Sequence, residues 1–363
     1  MKKYIKVILN IVFLLLLLWA TAYFLFKDEE LPEIFAAIRN AKKAYLFAGL
    51  ALVLIFVCSE SVIICYLMKL LKNTVPLLRC IKYSFAGFFF SSVTPSATGG
   101  QPMQVYYMSK DGLSASVSAL VLLIITVAYK SVLVILSAFM FLFKKDFIFS
   151  HLSHVRYILI YGVIVNVAFV AFLVIVIFKE SLAKSVIRRS IRFLAFVKLI
   201  KHAEAAEAKC LGIMEPYHDG AEYIKKHLFV LMNVFLITVV QRVSLFLVTW
   251  CVYRSFGLHG VSAFEIVTLQ TIIALSVDML PLPGGIGASE TSFLAMFAAV
   301  FPPALLMPGM LLSRGISYYA LVLISGAVTV AAHLISMSAG KSRRACGQCR
   351  AGQDKAQESG PGF

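Results

Sequence analysis

Pro281-Leu282-Pro283-Gly284-Gly285-Ile286-Gly287-Ala288-Ser289-Glu290 follows directly on the apolar run Ile272-Ile273-Ala274-Leu275-Ser276-Val277-Asp278-Met279-Leu280. A second break of this kind lies upstream, where Phe88-Phe89-Phe90-Ser91-Ser92-Val93 leads into Thr94-Pro95-Ser96-Ala97-Thr98-Gly99-Gly100-Gln101-Pro102. Proline removes a backbone donor and glycine readily leaves the helical region, so both runs stop being helical at these points. Both stops fall in sequence apolar enough to sit at membrane depth. Backbone with free N–H and C=O groups cannot face lipid; it persists only inside protein or around a polar cavity. A pair of broken helices, one in each half of a membrane protein, points to a substrate site. The competing reading is a pair of apolar interhelical loops.

Composition agrees with a membrane location. Of the 363 residues, 60% are hydrophobic, and the mean hydropathy is +0.88. Soluble domains are about 45–50% apolar, so the chain is expected to be an all-α polytopic membrane protein with little room for a soluble domain. The net charge of +16, from 34 Lys and Arg against 18 Asp and Glu, marks cytoplasmic loops and anionic lipid contacts rather than nucleic-acid binding. Seven cysteines, an odd number, give no disulfide framework. Cys58, Cys65 and Cys251 read as small core residues, and Cys346 and Cys349 form a single CxxC without the second pair that zinc needs.

Full-length spans are predicted at about 7–26, 45–67, 115–143, 157–178, 229–252 and 306–334, with broken segments at about 83–108 and 264–301. Met1-Lys2-Lys3-Tyr4-Ile5-Lys6 and Ala20-Thr21-Ala22 have the pattern of a cleaved signal peptide. The apolar run continues to Phe26, however, so it is read as an uncleaved first helix. Lys2, Lys3 and Lys6 place the N-terminus inside. The 27–44 loop mixes Asp28, Glu29, Glu30 and Glu33 with its bases and is read as an outer loop, and Lys69, Lys72, Arg79 and Lys82 return inside. The basic 179–228 loop and Lys341, Arg343 and Arg344 are cytoplasmic as well. Six full spans satisfy this alternation if each broken segment re-enters and leaves by one side, the two from opposite sides, as in inverted repeats. Two thin crossings per broken segment would raise the count to eight or more. Within the loop, basic and apolar residues over 186–200 suit either a helix in the lipid interface or a plain positive-inside loop. The membrane domain is expected over 1–340, followed by a disordered polar tail at 341–363.

Charges within the apolar segments narrow the site. Glu60, Lys130, Arg242, Asp278, Glu290 and Arg314 all fall there, and each must find a partner or a wet cavity. Three acids and three bases could pair among themselves as interhelical ties. Alternatively, some bases remain to hold an anion. Arg242 and Arg314 suit a phosphate best because a guanidinium binds it through two parallel bonds, whereas Lys130 is a point charge. Helix N-termini beside Gly99-Gly100 and Gly284-Gly285 offer free N–H groups. Thr94, Ser96, Thr98, Gln101, Ser289 and Thr291 add neutral hydrogen bonds, and Glu290 also fits the role of a helix cap. No metalloprotease, P-loop, hydrolase or dinucleotide motif occurs. The seven histidines are scattered, so neither a metal nor another cofactor is expected.

The run Thr94-Pro95-Ser96-Ala97-Thr98-Gly99-Gly100-Gln101-Pro102-Met103-Gln104, continued by Lys110-Asp111-Gly112, resembles a signature of the lysylphosphatidylglycerol synthase/flippase membrane region. Pro281 to Glu290 resembles its second signature. The resemblance spans about 1–340. It implies a bacterial plasma-membrane protein that moves aminoacylated phosphatidylglycerol between leaflets and confers resistance to cationic peptides. It also implies a separate soluble aminoacyltransferase domain, which attaches lysine from Lys-tRNA to the lipid and gives the family its phosphatidylglycerol lysyltransferase name. The 29 residues after 334 are too few for that domain, so this chain alone is not expected to catalyse the transfer. Its expected partner is an anionic phospholipid, with an aminoacyltransferase on another chain. A transporter of a soluble anion is the remaining alternative.

Overall fold

The computed structural model describes residues 31–94, 97–151, 156–178 and 228–334, with isolated positions between 185 and 192. The expected span at 7–26, the 179–228 loop, the tail and Ser96 lie outside the described residues. Ten helices organise the described part: α1 (Leu31–Asn40), α2 (Lys43–Leu70), α3 (Leu77–Ser92), α4 (Gly100–Lys110), α5 (Ala115–His151), α6 (Arg156–Phe178), α7 (Leu228–Ser255), α8 (Ala263–Val277), α9 (Ala288–Phe297) and α10 (Pro303–Leu334). Five of them, α2, α5, α6, α7 and α10, are long and apolar enough to cross a bilayer. They coincide with the spans predicted over the described residues, and the fold is an all-α polytopic membrane architecture.

Both broken segments form re-entrant hairpins. In the first, the start of α3 and the end of α4 meet: Lys82 Nζ and Tyr83 Oη both donate to Asp111 Oδ2, at 2.5 and 2.6 Å. In the second, the stretch before α8 and the stretch after α9 converge on Tyr253, whose hydroxyl accepts from Val261 N–H and whose ring meets Phe301 edge-on. Each hairpin therefore leaves by the end at which it entered.

The two enter from opposite ends. α2 runs from a Lys43 end to a Leu70 end, where the first hairpin opens. α7 runs antiparallel to it: Asn233 near its start bonds Tyr66, and Ser255 at its end accepts from Lys42 N–H. The second hairpin consequently opens at the Lys43 end, where Lys144 of α5 pairs with Glu265 of α8 at 2.9 Å. Span, broken hairpin and span thus occur twice in opposite sense, as α2–α5 and α7–α10, the relation of inverted repeats.

Close packing rests on small residues, because lipid supplies no hydrophobic drive between helices. Gly49 brings α2 against Val248 of α7 and Ile316 of α10, while Ser61 donates to Ser84 across α2 and α3. Phe139, Leu142, Ile160 and Ile164 of α5 and α6 are exposed, as a lipid-facing surface requires. The 27–44 stretch, read as an outer loop, contains α1 instead. α1 packs on α10 with Ile34 buried and Phe35 exposed.

A buried guanidinium where two re-entrant hairpins meet

The tips of the hairpins touch. α3 ends at Ser92, whose carbonyl has lost its helical partner. Tyr318 of α10 donates its hydroxyl to that oxygen at 2.9 Å, and its ring lies where a Cβ on Gly284 would be. A π-helical turn over Gly315–Ala320 re-phases α10 at this level, the kind of local widening often found at functional sites. One tyrosine therefore joins both breaks, and nothing in the sequence singled it out.

The first tip is built by close approach. Gly99 and Gly100 have ordinary helical backbone; a side chain on Gly100 would strike Ser91 and the Gly87 carbonyl. Thr94 Oγ1 accepts from Gly99 N–H at 2.9 Å and donates to Phe90 O. Thr98 lies in the turn between, and the Gln101 amide bonds Thr126 of α5. Gln104, one turn on and buried, donates to Glu60 Oε1 of α2 at 2.6 Å.

The second tip is built by backbone handedness. Gly284, Gly285 and Gly287 have φ of 58°, 65° and 85°, the left-handed region that costs a side chain about 1–2 kcal/mol. Ser289 lies against Gly285. Glu290, 2% exposed, accepts Gly287 N–H at 2.7 Å and pairs with Arg314 Nε at 2.9 Å, while Arg314 also donates to Gly284 O. Asp278 pairs with Lys130 of α5.

These contacts sort the charged residues. Lys130 and Arg314, both considered as anion holders, are each committed to a carboxylate. The α9 N-terminus already carries the Glu290 carboxylate, which meets the positive end of the helix dipole. Arg242 is different. It is 3% exposed, its guanidinium stacks on the Tyr129 ring at 3.1 Å, and its Nε and Nη2 have no hydrogen-bond partner. No carboxylate among the described residues forms an ion pair with it. Thr126, bonded to Gln101 at the first tip, lies three residues before Tyr129 and shares its face of α5. A buried guanidinium with unused donors is costly unless an acceptor visits it.

The family model of the lysylphosphatidylglycerol synthase TM region matches residues 7–325. The chain belongs to this family. None of the curated proteins matches it. The second family-like signature forms the second hairpin tip; in the first, Thr94 and Thr98–Gln104 lie at the tip while Asp111 lies at the mouth. Among the described residues no group of His, Cys, Asp or Glu is arranged to hold a metal. At the Leu70 end, Val62 and Tyr66 of α2 and Asn233, Leu236 and Ile237 of α7 line a shallow apolar groove. Val62 and Leu236 in its lining are exposed.

Proposed function

We propose that this integral membrane protein translocates phosphatidylglycerol, in aminoacylated or related anionic form, between leaflets of a bacterial plasma membrane, with the headgroup phosphate passing Arg242. The observation that carries this reading is the Arg242 guanidinium, buried midway along α7 against Tyr129 of α5 with donors to spare. A phosphodiester fits it because two parallel N–H···O bonds form at once. The sideways-opening groove between α2 and α7 favours a lipid over a soluble anion, since acyl chains can stay in the bilayer while the headgroup crosses.

In this reading the Leu70 end faces the cytoplasm, with both termini on that side, as Lys69, Lys72, Arg79 and the basic 179–228 segment favour. Lysine would be attached to the lipid by an aminoacyltransferase on another chain, and delivery of the product outward would lower surface charge and raise resistance to cationic peptides. Leaflet-resolved labelling of phosphatidylglycerol and its lysyl derivative, in cells with and without the gene, tests the reading. Loss of the outer-leaflet pool at unchanged total lipid is expected; an unchanged leaflet ratio would remove its support.

A further inference from the structure

We infer that the groove between α2 and α7 at the Leu70 end is a docking site for one anionic phospholipid, gripped at three levels: acyl chain, glycerol ester and phosphate. This deepens the headgroup reading above, as the loading step before Arg242, and rests on it for the lipid's onward course. Val62 and Tyr66 of α2 and Asn233, Leu236 and Ile237 of α7 line the groove. Its volume is about 260 Å³, against about 150 Å³ for a cavity that takes one benzene ring. A stretch of one acyl chain fits, and the rest of the lipid stays in the bilayer.

A polar pair distinguishes this groove from ordinary apolar surface. Asn233 is exposed in a stretch where Met232, Leu236 and Val240 are exposed too. An amide in apolar surroundings is costly unless its hydrogen bonds are made. Asn233 Nδ2 donates one hydrogen to the Tyr66 hydroxyl at 3.1 Å, which leaves its second N–H and the Tyr66 O–H still to donate. Two donors without an acceptor among the described residues suit the ester carbonyls of a glycerolipid, which only accept.

Lys69 supplies the third level. Val62, Tyr66 and Lys69 are spaced i, i+4 and i+7 on one stripe of α2, and Lys69 lies about 4.5 Å beyond Tyr66 along the axis. A phospholipid presents chain, ester and phosphate in that order. Lys69 is exposed and forms no ion pair among the described residues. Asp111, the acid described at this end, is taken by Lys82 and Tyr83, while Lys72 and Arg79 add exposed positive charge. The local field therefore selects an anionic headgroup over a zwitterionic one.

The test is fluorescence quenching by chain-brominated lipids in proteoliposomes of the full chain. Trp19→Phe and Trp250→Phe remove the native signal, and Val240→Trp reports from one turn deeper than Leu236. Ile164→Trp, on an exposed position of α6, is the control. At Val240→Trp, phosphatidylglycerol should be preferred over phosphatidylcholine about fivefold more than at the control, equivalent to about 1 kcal/mol for one basic residue near the surface. Lys69→Gln should remove the preference, Tyr66→Phe with Asn233→Leu should weaken retention of both lipids, and Arg242→Gln should leave docking intact. Equal quenching by the two lipids at both reporters overturns the dock and leaves the Arg242 reading standing. A preference that survives Lys69→Gln overturns the three-level site, and displacement by glycerophosphoglycerol as readily as by lipid overturns the lipid as occupant. The expected preference together with wild-type translocation by Arg242→Gln keeps the dock and overturns the headgroup reading instead.

Discussion

The two re-entrant hairpins occupy matching places in the inverted halves, yet they are held by opposite means. The first is polar at its mouth, where Lys82 and Tyr83 grip Asp111, and its tip is fixed by close packing and bonds from Gln101 and Gln104. The second has an aromatic cluster toward its mouth beside the Lys144–Glu265 pair: Phe293 stacks on Phe297 with 4.3 Å between ring centroids, and Phe301 bridges to Tyr253. Its tip carries two ion pairs and three left-handed glycines. Salt screens an aromatic cluster and buried ion pairs little, and a partly exposed ionic latch more. On this contrast the tip of the second hairpin, with its two buried ion pairs, is expected to be the fixed wall of the site, and the tip of the first the side that yields.

The largest expected effect tests the fixed wall. Asp278→Ala strands the Lys130 ammonium and should destabilise the protein by roughly 3–5 kcal/mol, the cost of breaking a buried pair. Replacing both, as Lys130→Met with Asp278→Leu, should recover most of the loss in a detergent melting assay. A single variant as stable as wild type would show that the second tip is wet rather than rigid.

Glycine replacements separate the two tips next. Gly284→Ala forces a side chain into the left-handed region and onto Tyr318, costing at least about 1–2 kcal/mol. Tyr318→Ala in the same chain should not restore it, because the backbone strain remains. Gly100→Ala meets Ser91 instead, so a Ser91→Ala background should recover part of that loss. Equal rescue at both tips would erase the distinction between packing and handedness.

Smaller effects probe the seam and the latch. Tyr318→Phe removes one hydrogen bond, worth about 0.5–1.5 kcal/mol. Hydrogen exchange should rise at the end of α3 more than in α9; a rise confined to α9 would mean that Tyr318 does not join the tips. At the mouth of the first hairpin, burial raises the Asp111 carboxyl, but hydrogen bonds from Lys82 and Tyr83 and the Lys82 charge prevail and hold it below its ordinary value of 3.8. A depressed folded value means the latch contributes fully above 3.8 and is lost only as pH falls below it. Cysteine accessibility near residue 111 should therefore stay constant at neutral pH and increase in stronger acid, and Asp111→Asn should lose that dependence.

Much of this arrangement is legible in the sequence. Apolar runs gave the spans of the described residues to within a few positions, and the Pro-Gly interruptions located both hairpin tips. The charged residues were found for the same reason, since any ionisable group in an apolar run stands out. Their pairing was not legible: Lys130–Asp278 and Arg314–Glu290 join helices 148 and 24 residues apart in sequence, and only tertiary contact decides which base is left over. Tyr318 gave no signal, because a tyrosine in an apolar helix looks like ordinary membrane-facing sequence. The α1 helix was hidden by its brevity, only 10 residues. The pairs of glycines looked equivalent, although one serves contact and the other handedness.

The central claim is that Arg242 holds an anionic headgroup at mid-depth. Its most direct test is translocation of fluorescent phosphatidylglycerol in proteoliposomes by wild type, Arg242→Lys and Arg242→Gln, each shown to melt normally. The account predicts that Arg242→Gln weakens headgroup binding by about 1.5–3 kcal/mol, one charged hydrogen bond, and slows translocation in proportion, while Arg242→Lys recovers only part because the forked donor is gone. Well-folded Arg242→Gln that moves the lipid at the wild-type rate would contradict it.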